Sequence, residues 1–325
     1  MENITKKIRA VAKQALINKE IDKILGWKKG DLWSESYPVF ITKPEDADSL
    51  IWDSFCINNL SKYLIKELPK YDKIGIFIKG CDSTSFNQLL KDNRINRENV
   101  VLYGIPCEGM VDPEKVKKIM LNDRVTRVKK SENGFTLTNK NTSKDVLGEE
   151  IKYDKCLTCT SPNPVVYDQL LGDVVNNNVN REDRFKGVEE IESMTPDERY
   201  NFWKGEFQRC LRCNACRDIC PACSCVKCVF DNSDAEISGK AKTEGEDTFF
   251  HIVRAYHVAG RCVDCGECAR ICPAGIPLDK LNRKIIKDIN EVYGEFNAGL
   301  DSTTPAPLVT FKLEDADTFS KQGGK

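Results

Sequence analysis

The stretch CLRCNACRDICPACSCVKC, residues 210–228, places seven cysteines within nineteen residues. The whole chain has 16 cysteines in 325 residues, and eleven of them lie between positions 210 and 272. Its opening, MENITKKIRAVAKQALINKEIDKILGW, predicts an amphipathic helix interrupted by charges, which is not typical of a secretory signal. We therefore expect a reducing, cytoplasmic environment, where clustered thiols bind metal more often than they pair as disulfides.

Two runs of four cysteines share one spacing. The first comprises Cys210, Cys213, Cys216 and Cys220, and the second comprises Cys262, Cys265, Cys268 and Cys272. Both match the C-x2-C-x2-C-x3-C-P pattern whose thiolates hold [4Fe–4S] clusters. A proline follows the last cysteine of each run, where it prevents a helix from continuing and turns the chain.

The spacing predicts that the two runs exchange their last ligands. Three thiolates on one tight loop reach three corners of a cubane, whereas the fourth cysteine, beyond the next turn, ligates the other cluster. The expected ligands are Cys210, Cys213, Cys216 and Cys272 for cluster 1, and Cys262, Cys265, Cys268 and Cys220 for cluster 2. Paired C-x2-C motifs also build structural zinc sites, but two complete runs that each end in Cys-Pro favour iron–sulfur clusters.

The first half of the chain predicts an α/β fold. KIGIFIKGCDSTSFNQLLKDN indicates a buried strand, a turn at Gly80 and a helix capped near Asp82 or Ser83. NVVLYGIPCEGMVDPEKVKKIM repeats the strand and turn, with a helix from near Pro113. Two successive strand–turn–helix units favour a parallel sheet.

Shorter patterns complete this half. YPVFI predicts a strand, and residues 48–68 alternate apolar and polar positions with a helical period. Residues 124–140 alternate around Asn133-Gly134, which is a strong hairpin signal.

Four further cysteines suggest a third cluster. Cys81 and Cys107 follow predicted neighbouring strands, at the carboxyl edge where open α/β sheets build their sites. Cys156 and Cys159 form another C-x2-C. The four could hold a third [4Fe–4S] cluster, with helix N-termini near Asp82 and Asp112 stabilising its negative charge; the alternative is that Cys81 and Cys107 are small buried residues in turns.

The remaining cysteines are less informative. Cys223, Cys225 and Cys228 lie next to the first run but lack an evident fourth ligand, so they could meet a cysteine of the first domain, hold zinc, or only pack. Cys56 is interpreted as a core residue. His251 and His257 are six apart on a predicted helix and are not a ligand pair.

We predict four segments along the chain. These are an α/β domain with a parallel or mixed sheet (1–172), a polar linker (173–194), an α-rich ferredoxin-like 2[4Fe–4S] domain (195–293) and an extended C-terminal arm (294–325). Helices are expected from about Thr195, in DTFFHIVRAYHVAGRC and in PLDKLNRKIIKDINEVYG.

Charge and composition exclude several functions. The 49 basic and 50 acidic residues nearly cancel, which gives no electrostatic case for binding nucleic acid or an anionic membrane. No window approaches the roughly 18 consecutive apolar residues of a membrane span. With only two histidines and no carboxylate pair fixed by a motif, the sequence predicts no catalytic residue.

The motifs KGCDSTSFNQLLK, VVLYGIPCEG and CLTCTSPNP, within residues 70–165, resemble the β-subunit family of coenzyme F420 hydrogenases and dehydrogenases. Residues 205–280 resemble the bacterial dicluster ferredoxin domain. The combination is similar to ferredoxin-fused, formate dehydrogenase β-subunit-like members, which occur with heterodisulfide-reductase-like flavoprotein assemblies.

This resemblance implies an iron–sulfur subunit of a cytoplasmic oxidoreductase complex in anaerobic metabolism. The subunit would pass single electrons between a substrate-oxidising subunit and a flavoprotein subunit. The alternative is a catalytic subunit that reduces F420, NAD(P) or ferredoxin, with FAD near the turns at Gly80 and Gly104. The glycine-rich flavin segment of FAD-binding members is not found here, and no G-x-G-x-x-G follows a predicted strand; both observations argue against a bound FAD, and the sequence does not decide whether flavin binds.

Overall fold

The computed structural model describes residues 1–121, 124–131, 134–176, 181–232 and 241–310. Its contacts divide the chain into two compact units. The first unit comprises Met1–Ser83 and Ile95–Arg181, and the second comprises Thr84–Arg94 with the described residues from Glu182 onward.

The described part of the first unit contains nine strands in two sheets. They are β1 (Lys23–Lys29), β2 (Ser36–Ile41), β3 (Leu50–Ile51), β4 (Ile74–Ile78), β5 (Val100–Gly104), β6 (Arg127–Lys130), β7 (Gly134–Thr138), β8 (Ser143–Leu147) and β9 (Gln169–Leu170). The larger sheet has the order β2-β1-β4-β5-β9, and β3 also pairs with β1. Strands β1, β4, β5 and β9 run parallel, whereas β2 and β3 run antiparallel to β1.

The central strand explains why this sheet forms. All five residues of β4, IGIFI, are buried, which is typical of a strand covered on both faces in a parallel sheet. Its neighbour β5 pairs with it in parallel from Ile74 opposite Val100 to Ile78 opposite Gly104. The predicted α/β architecture with a mixed sheet is confirmed.

Six α-helices begin among the residues of the first unit that the structure describes. They are α1 (Glu2–Ile17), α2 (Leu64–Glu67), α3 (Gly80–Lys91), α4 (Pro113–Ile119), α5 (Gly148–Ile151) and α6 (Asp154–Leu157). From Thr84 onward, α3 is counted with the second unit. Helix α4 begins where the sequence predicts, because the Asp112 side chain caps it by accepting from the Glu114 N–H at 2.9 Å.

The smaller sheet is antiparallel, in the order β6-β7-β8. Strands β6 and β7 form the hairpin expected around Asn133-Gly134, although Asn133 itself lies outside the described residues. Phe135 and Leu137 of β7 and Val146 of β8 are buried in a common hydrophobic core. The alternation of β7 therefore directs one face of this sheet into a core.

Three details differ from the sequence-based expectation. The opening helix ends at Ile17, and Lys23–Lys29 is strand β1, whose first five residues are buried. Residues 48–68 contain β3, a 3-10 turn and the short α2 instead of one helix. The Asp53 carboxylate accepts from the Phe55 N–H at 2.8 Å, a local bond that competes with helix formation.

The third difference is the start of α3. The helix begins at Gly80, before the predicted cap. The Asp82 side chain accepts from the Lys79 N–H at 2.9 Å, so Asp82 serves as the third helical residue reaching back to the start of the helix.

The second unit is helical apart from turns in its described part. Its helices are α7 (Lys186–Glu192), α8 (Pro196–Gln208), α9 (Ala215–Ile219), α10 (Glu244–His257), α11 (Glu267–Arg270) and α12 (Leu278–Tyr293). The three expected helices are present as α8, α10 and α12. Thr195 and Glu198 form a reciprocal capping box that begins α8.

The segments predicted as linker and arm are described in part. Within residues 173–194, α7 buries Val188 and Ile191, while 177–180 lie outside the described residues. In the second unit the Asn87 amide donates to the Gly299 carbonyl at 3.0 Å, which anchors the beginning of the arm; residues 311–325 are not described. Among the described residues, no helix is both long and apolar enough to cross a membrane.

Candidate metal centres

The structure brings the predicted ligands of cluster 1 together around one cavity of about 330 Å³ in the second unit. Its lining includes all four of them, Cys210, Cys213, Cys216 and Cys272. Three come from the first run and the fourth from the end of the second run. The four cysteines that line this cavity are the ones predicted together for cluster 1.

A second cavity of about 370 Å³ has the complementary lining. It includes Cys262, Cys265, Cys268 and Cys220, which are the predicted ligands of cluster 2. The lining also contains the polar side chains of Asp264, Asp279 and Asn282. Each cavity thus collects four cysteines from both runs.

The backbone of the two runs repeats. Arg212 and Asn214 in the first run, and Asp264 and Gly266 in the second, have φ between 52° and 63°. These left-handed residues occupy the same positions relative to the first cysteine, and a short helix, α9 or α11, follows in each run. Left-handed turns fold the loop tightly, and in the first run the Arg212 N–H points at the Cys210 sulfur, 3.3 Å away.

The thiols of these cavities are poor at carrying charge by themselves. Burial, followed by the nearby Cys220, raises the pKa of Cys262 to about 12. Burial likewise raises the pKa of Cys216, with Cys210 and Cys272 adding to the effect. Because metal binding requires thiolates, crowded buried thiols fit a site in which a cationic metal centre supplies the missing positive charge.

Two residues beside the cavities were not anticipated as functional from the sequence. Arg254 on α10 is 3% exposed, and its Nη2 donates to the Cys216 carbonyl at 3.0 Å. Asn282 on α12 is also 3% exposed, and its amide lies 3.5 Å from the Cys268 sulfur. Amide donors of this kind are a recognised means of tuning a metal centre. The only sequence signal was a polar residue on the buried face of an amphipathic helix.

His251 lies in the lining of the first cavity. Its ring stacks on Phe207 with centroids 4.7 Å apart. Burial, then Arg254 and Arg212, lowers the pKa of His251 to about 3. The imidazole is therefore neutral at physiological pH.

In the first unit, three chain segments meet where β4 and β5 end. Cys81 lies in the first turn of α3, just after β4, and Cys107 follows β5. The Cys107 N–H donates to the Pro162 carbonyl at 2.8 Å, which holds the 156–163 segment at this edge. A Cβ on Gly109 would stand 3.3 Å from the Cβ of Cys156.

Electrostatic coupling links these four cysteines. Burial, then Cys156, raises the pKa of Cys107 to about 12, and Cys159 contributes in the same direction. Burial, followed by Asp82, raises the pKa of Cys81, and Cys159 again adds to the effect. The cysteines predicted for a third centre are therefore neighbours, whereas Cys56 is buried elsewhere against Asp53.

A buried lysine lies under this edge. Lys79 is 1% exposed, and its Nζ lies 2.8 Å from the Asp82 carboxylate and 4.3 Å from the centroid of the Trp27 ring. It also donates to the Asn58 carbonyl at 2.9 Å. This charge is already neutralised by a carboxylate.

The glycines considered for flavin binding have close neighbours of their own. A Cβ on Gly80 would fall 1.8 Å from the Ser161 carbonyl oxygen. A Cβ on Gly104 would lie 3.1 Å from both Pro164 and Tyr167. The chain between 161 and 170 therefore fills the space over both turns, which accounts for the two glycines through backbone packing.

Cys223, Cys225 and Cys228 line neither cavity. Cys223 packs beside Cys220, and Cys225 is exposed. Arg217 contacts Cys228 and lies 2.8 Å from Asp231. In the described residues, no three His, Cys, Asp or Glu side chains form a group that could hold a single metal ion; a four-iron cluster spreads its cysteines more widely, because iron and sulfide lie between them.

Comparison with known proteins agrees with this geometry. Residues 206–276 match the family model of the 4Fe-4S dicluster domain. That range contains both cysteine runs and the lining cysteines of both cavities.

The similarity also extends along the whole chain. It is 26% identical, over 94% of this chain and 94% of the relative, to the F420-dependent formate dehydrogenase subunit beta of Methanocaldococcus jannaschii. It is 26% identical, over 93% and 92%, to the F420-dependent formate dehydrogenase 1 subunit beta of Methanococcus maripaludis. The resemblance to this β-subunit family, fused to a dicluster domain, is confirmed.

A solved structure was also found. A chain of the F420-reducing [NiFe] hydrogenase complex from Methanosarcina barkeri matches with a TM-score of 0.39 and 17% identity, over 64% of this chain and 88% of that chain.

Proposed function

We propose that this chain is the iron–sulfur electron-transfer subunit of a multi-subunit oxidoreductase related to F420-dependent formate dehydrogenases. One observation carries the proposal: two cavities, each lined by three cysteines of one run and the last cysteine of the other. The similarity to formate dehydrogenase β-subunits over 94% of the chain supports the kind of complex.

The chain's own residues would hold two clusters in the second unit. We assign Cys210, Cys213, Cys216 and Cys272 to one centre, and Cys262, Cys265, Cys268 and Cys220 to the other. Each [4Fe–4S] cluster supplies one-electron chemistry when bound. The tight loops of the runs orient the thiolates, and the packing of Phe207 and Phe250 around the first cavity limits access of water.

We assign a third centre of the same kind to Cys81, Cys107, Cys156 and Cys159 in the first unit. The mutual influence of these thiols and the contact between Cys107 and Pro162 support the assignment. Cys223, Cys225 and Cys228 receive no ligand role. Gly80 and Gly104 are assigned to backbone packing, so FAD is not part of the proposal.

An electron-transfer subunit functions only with a donor and an acceptor. We therefore propose that the chain assembles with a substrate-oxidising subunit and a flavoprotein subunit. The thiol-rich composition supports a reducing cytoplasm as its location. The direction of electron transfer through the chain is set by the reduction potentials of the partner subunits.

The test is to quantify iron, acid-labile sulfide, zinc and flavin together on anaerobically purified full-length chain. We expect about twelve iron and matching sulfide per chain, as three [4Fe–4S] clusters require, without flavin. The Cys56→Ser chain is the matched control, since Cys56 lies outside the proposed ligand sets, and it should keep the full iron content. Zinc without sulfide would contradict the proposal.

The second candidate is a catalytic flavin subunit, and it rests on the F420-dependent activity named for the relatives. About eight iron with one flavin per chain would favour it, because eight iron is the content of two [4Fe–4S] clusters. In that case, Cys81, Cys107, Cys156 and Cys159 would not hold a cluster.

A further inference from the structure

Arg254 is a buried charge that pairs with no carboxylate among the described residues. The residue is 3% exposed, and among the described residues its one hydrogen bond is to the Cys216 carbonyl, with Nε left without a partner. Burying a charge is costly unless a counter-charge compensates it. The position therefore calls for a negative group that is not an Asp or Glu of the described chain.

Other buried or half-buried arginines of this unit have carboxylate partners. Arg184 and Arg283 lie 2.9 and 2.6 Å from the Asp264 carboxylate. Arg270 lies 2.8 Å from Glu267. Each of these arginines has a carboxylate oxygen within 3 Å, which makes the carboxylate-free surroundings of Arg254 a distinct feature.

The position of Arg254 along α10 identifies its neighbours. His251, three residues earlier, lines the first cavity. Val258, four residues later, packs with Cys220 and Cys262 of the second cavity. Residues at these intervals lie on one face of a helix, so Arg254 stands between the two groups of cysteines.

A guanidinium stays protonated in proteins, because its pKa lies far above physiological pH. Arg254 is therefore a permanent positive charge, held beside the Cys216 backbone on the helix face that carries His251 and Val258.

We propose that Arg254 is the shared counter-charge of both second-unit clusters and raises the reduction potentials of both. The inference rests on the proposed function. A cluster with four thiolates carries net negative charge, which grows on reduction, and net charge and surroundings set its potential. A buried cation next to both centres stabilises the reduced state of each. It also weakens the repulsion between the electrons that the two neighbouring clusters take up.

The experiment is an EPR-monitored redox titration of the full chain, purified and reconstituted anaerobically. It is done in the Cys107→Ser background, so that only the second-unit clusters titrate. The parent is compared with Arg254→Gln, which removes the charge, and with Arg254→Lys, which keeps it. Lys204→Gln is the control for net charge, because Lys204 is a partly exposed residue that pairs with Glu244 at 3.0 Å.

We expect Arg254→Gln to lower both equilibrium constants for reduction at least tenfold, which corresponds to about 59 mV for a one-electron couple. Arg254→Lys should restore most of the shift, and Lys204→Gln should leave both potentials unchanged. A shift of only one cluster, or of neither, would overturn the shared role. If Arg254→Gln and Arg254→Lys lowered the two reduction potentials equally, the role of Arg254 would be steric and not electrostatic.

Iron and sulfide content separates the possible failures. If Arg254→Gln does not assemble clusters, full iron in Arg254→Lys supports the charge role, and failure of both variants contradicts it. If the parent chain itself binds no iron or sulfide, the proposed function fails together with this inference. If the parent binds eight iron and the potentials do not move, only the inference fails.

Discussion

The two units gather their cysteines in different ways. In the second unit, two short runs with the same left-handed turns line two cavities. In the first unit, Cys81, Cys107 and the 156–159 pair come from separate segments that meet at the end of β4 and β5. In a local loop, the spacing of the cysteines along the chain is enough to bring them together. At a sheet edge, the cysteines come together only through packing between segments that are distant in sequence.

The largest effect is expected for Cys268→Ser, which tests whether the second unit holds its clusters through the two cysteine runs. Cys268 is a buried residue of α11, the short helix that leads to Cys272, so its loss should disturb both cavities. We expect a loss of at least four and up to about eight iron per chain, because each [4Fe–4S] cluster holds four. Iron and sulfide analysis measures it. Unchanged iron would contradict the ligand assignment.

Cys107→Ser should have a smaller and separate effect. Its proposed partners all lie in the first unit, so we expect a loss of about four iron, the content of one [4Fe–4S] cluster. The EPR signals of the second-unit clusters should persist. If this variant also lost those signals, the two units would not be independent in cluster binding.

Gly80→Ala tests whether packing builds the first-unit site. The new Cβ would collide with the Ser161 carbonyl, 1.8 Å away, so we expect a loss of about 2–3 kcal/mol in the free energy of unfolding, as overpacking costs. First-unit iron should fall as well. Chemical denaturation and iron analysis measure the two effects.

Gly205→Ala is the matched control. Gly205 lies within α8, and a Cβ there meets nothing within 4 Å. Replacing glycine by alanine inside a helix should stabilise it by roughly 0.5–1 kcal/mol. Equal effects of the two substitutions would contradict the packing argument.

The smallest effect concerns a first-unit ion pair away from the cysteines. Glu67 lies 2.5 Å from Lys23 and 2.9 Å from Lys70. Hydrogen bonds from these lysines, that of Lys23 first, lower the pKa of Glu67 below 4.5. The pair therefore contributes stability above about pH 4.5, and this contribution is lost as the pH falls through the folded-state pKa.

We expect Glu67→Gln to lower the free energy of unfolding by about 1 kcal/mol at pH 7, which is the net contribution of a typical intramolecular hydrogen bond. The difference from the parent chain should shrink towards pH 3. Denaturant titrations at both pH values measure it, with iron content as the control, which should not change. A difference that grew at low pH would have the wrong sign.

Sequence reasoning captured the features that depend on neighbours along the chain. The hairpin of β6 and β7, the cap at Asp112 and the helices α8, α10 and α12 all have local signals. It missed β1 because KILGW continues an amphipathic pattern, and a strand there becomes favourable only when β2 and β4 pair with it. The sequence pattern also predicted one helix over residues 48–68. In the structure β3 pairs with β1 there, and the Asp53 carboxylate accepts from the Phe55 N–H, so the chain turns instead.

The spacing of the two cysteine runs was enough to predict which cysteines line each cavity, because three residues of spacing on one loop suffice to aim three thiolates. Only the tertiary structure decided that Cys107 meets the 156–163 segment, that Gly80 is required by Ser161, and that Arg254 stands between two groups of thiols. These relations join residues far apart in sequence. They arise from burial and close packing, which no local pattern encodes.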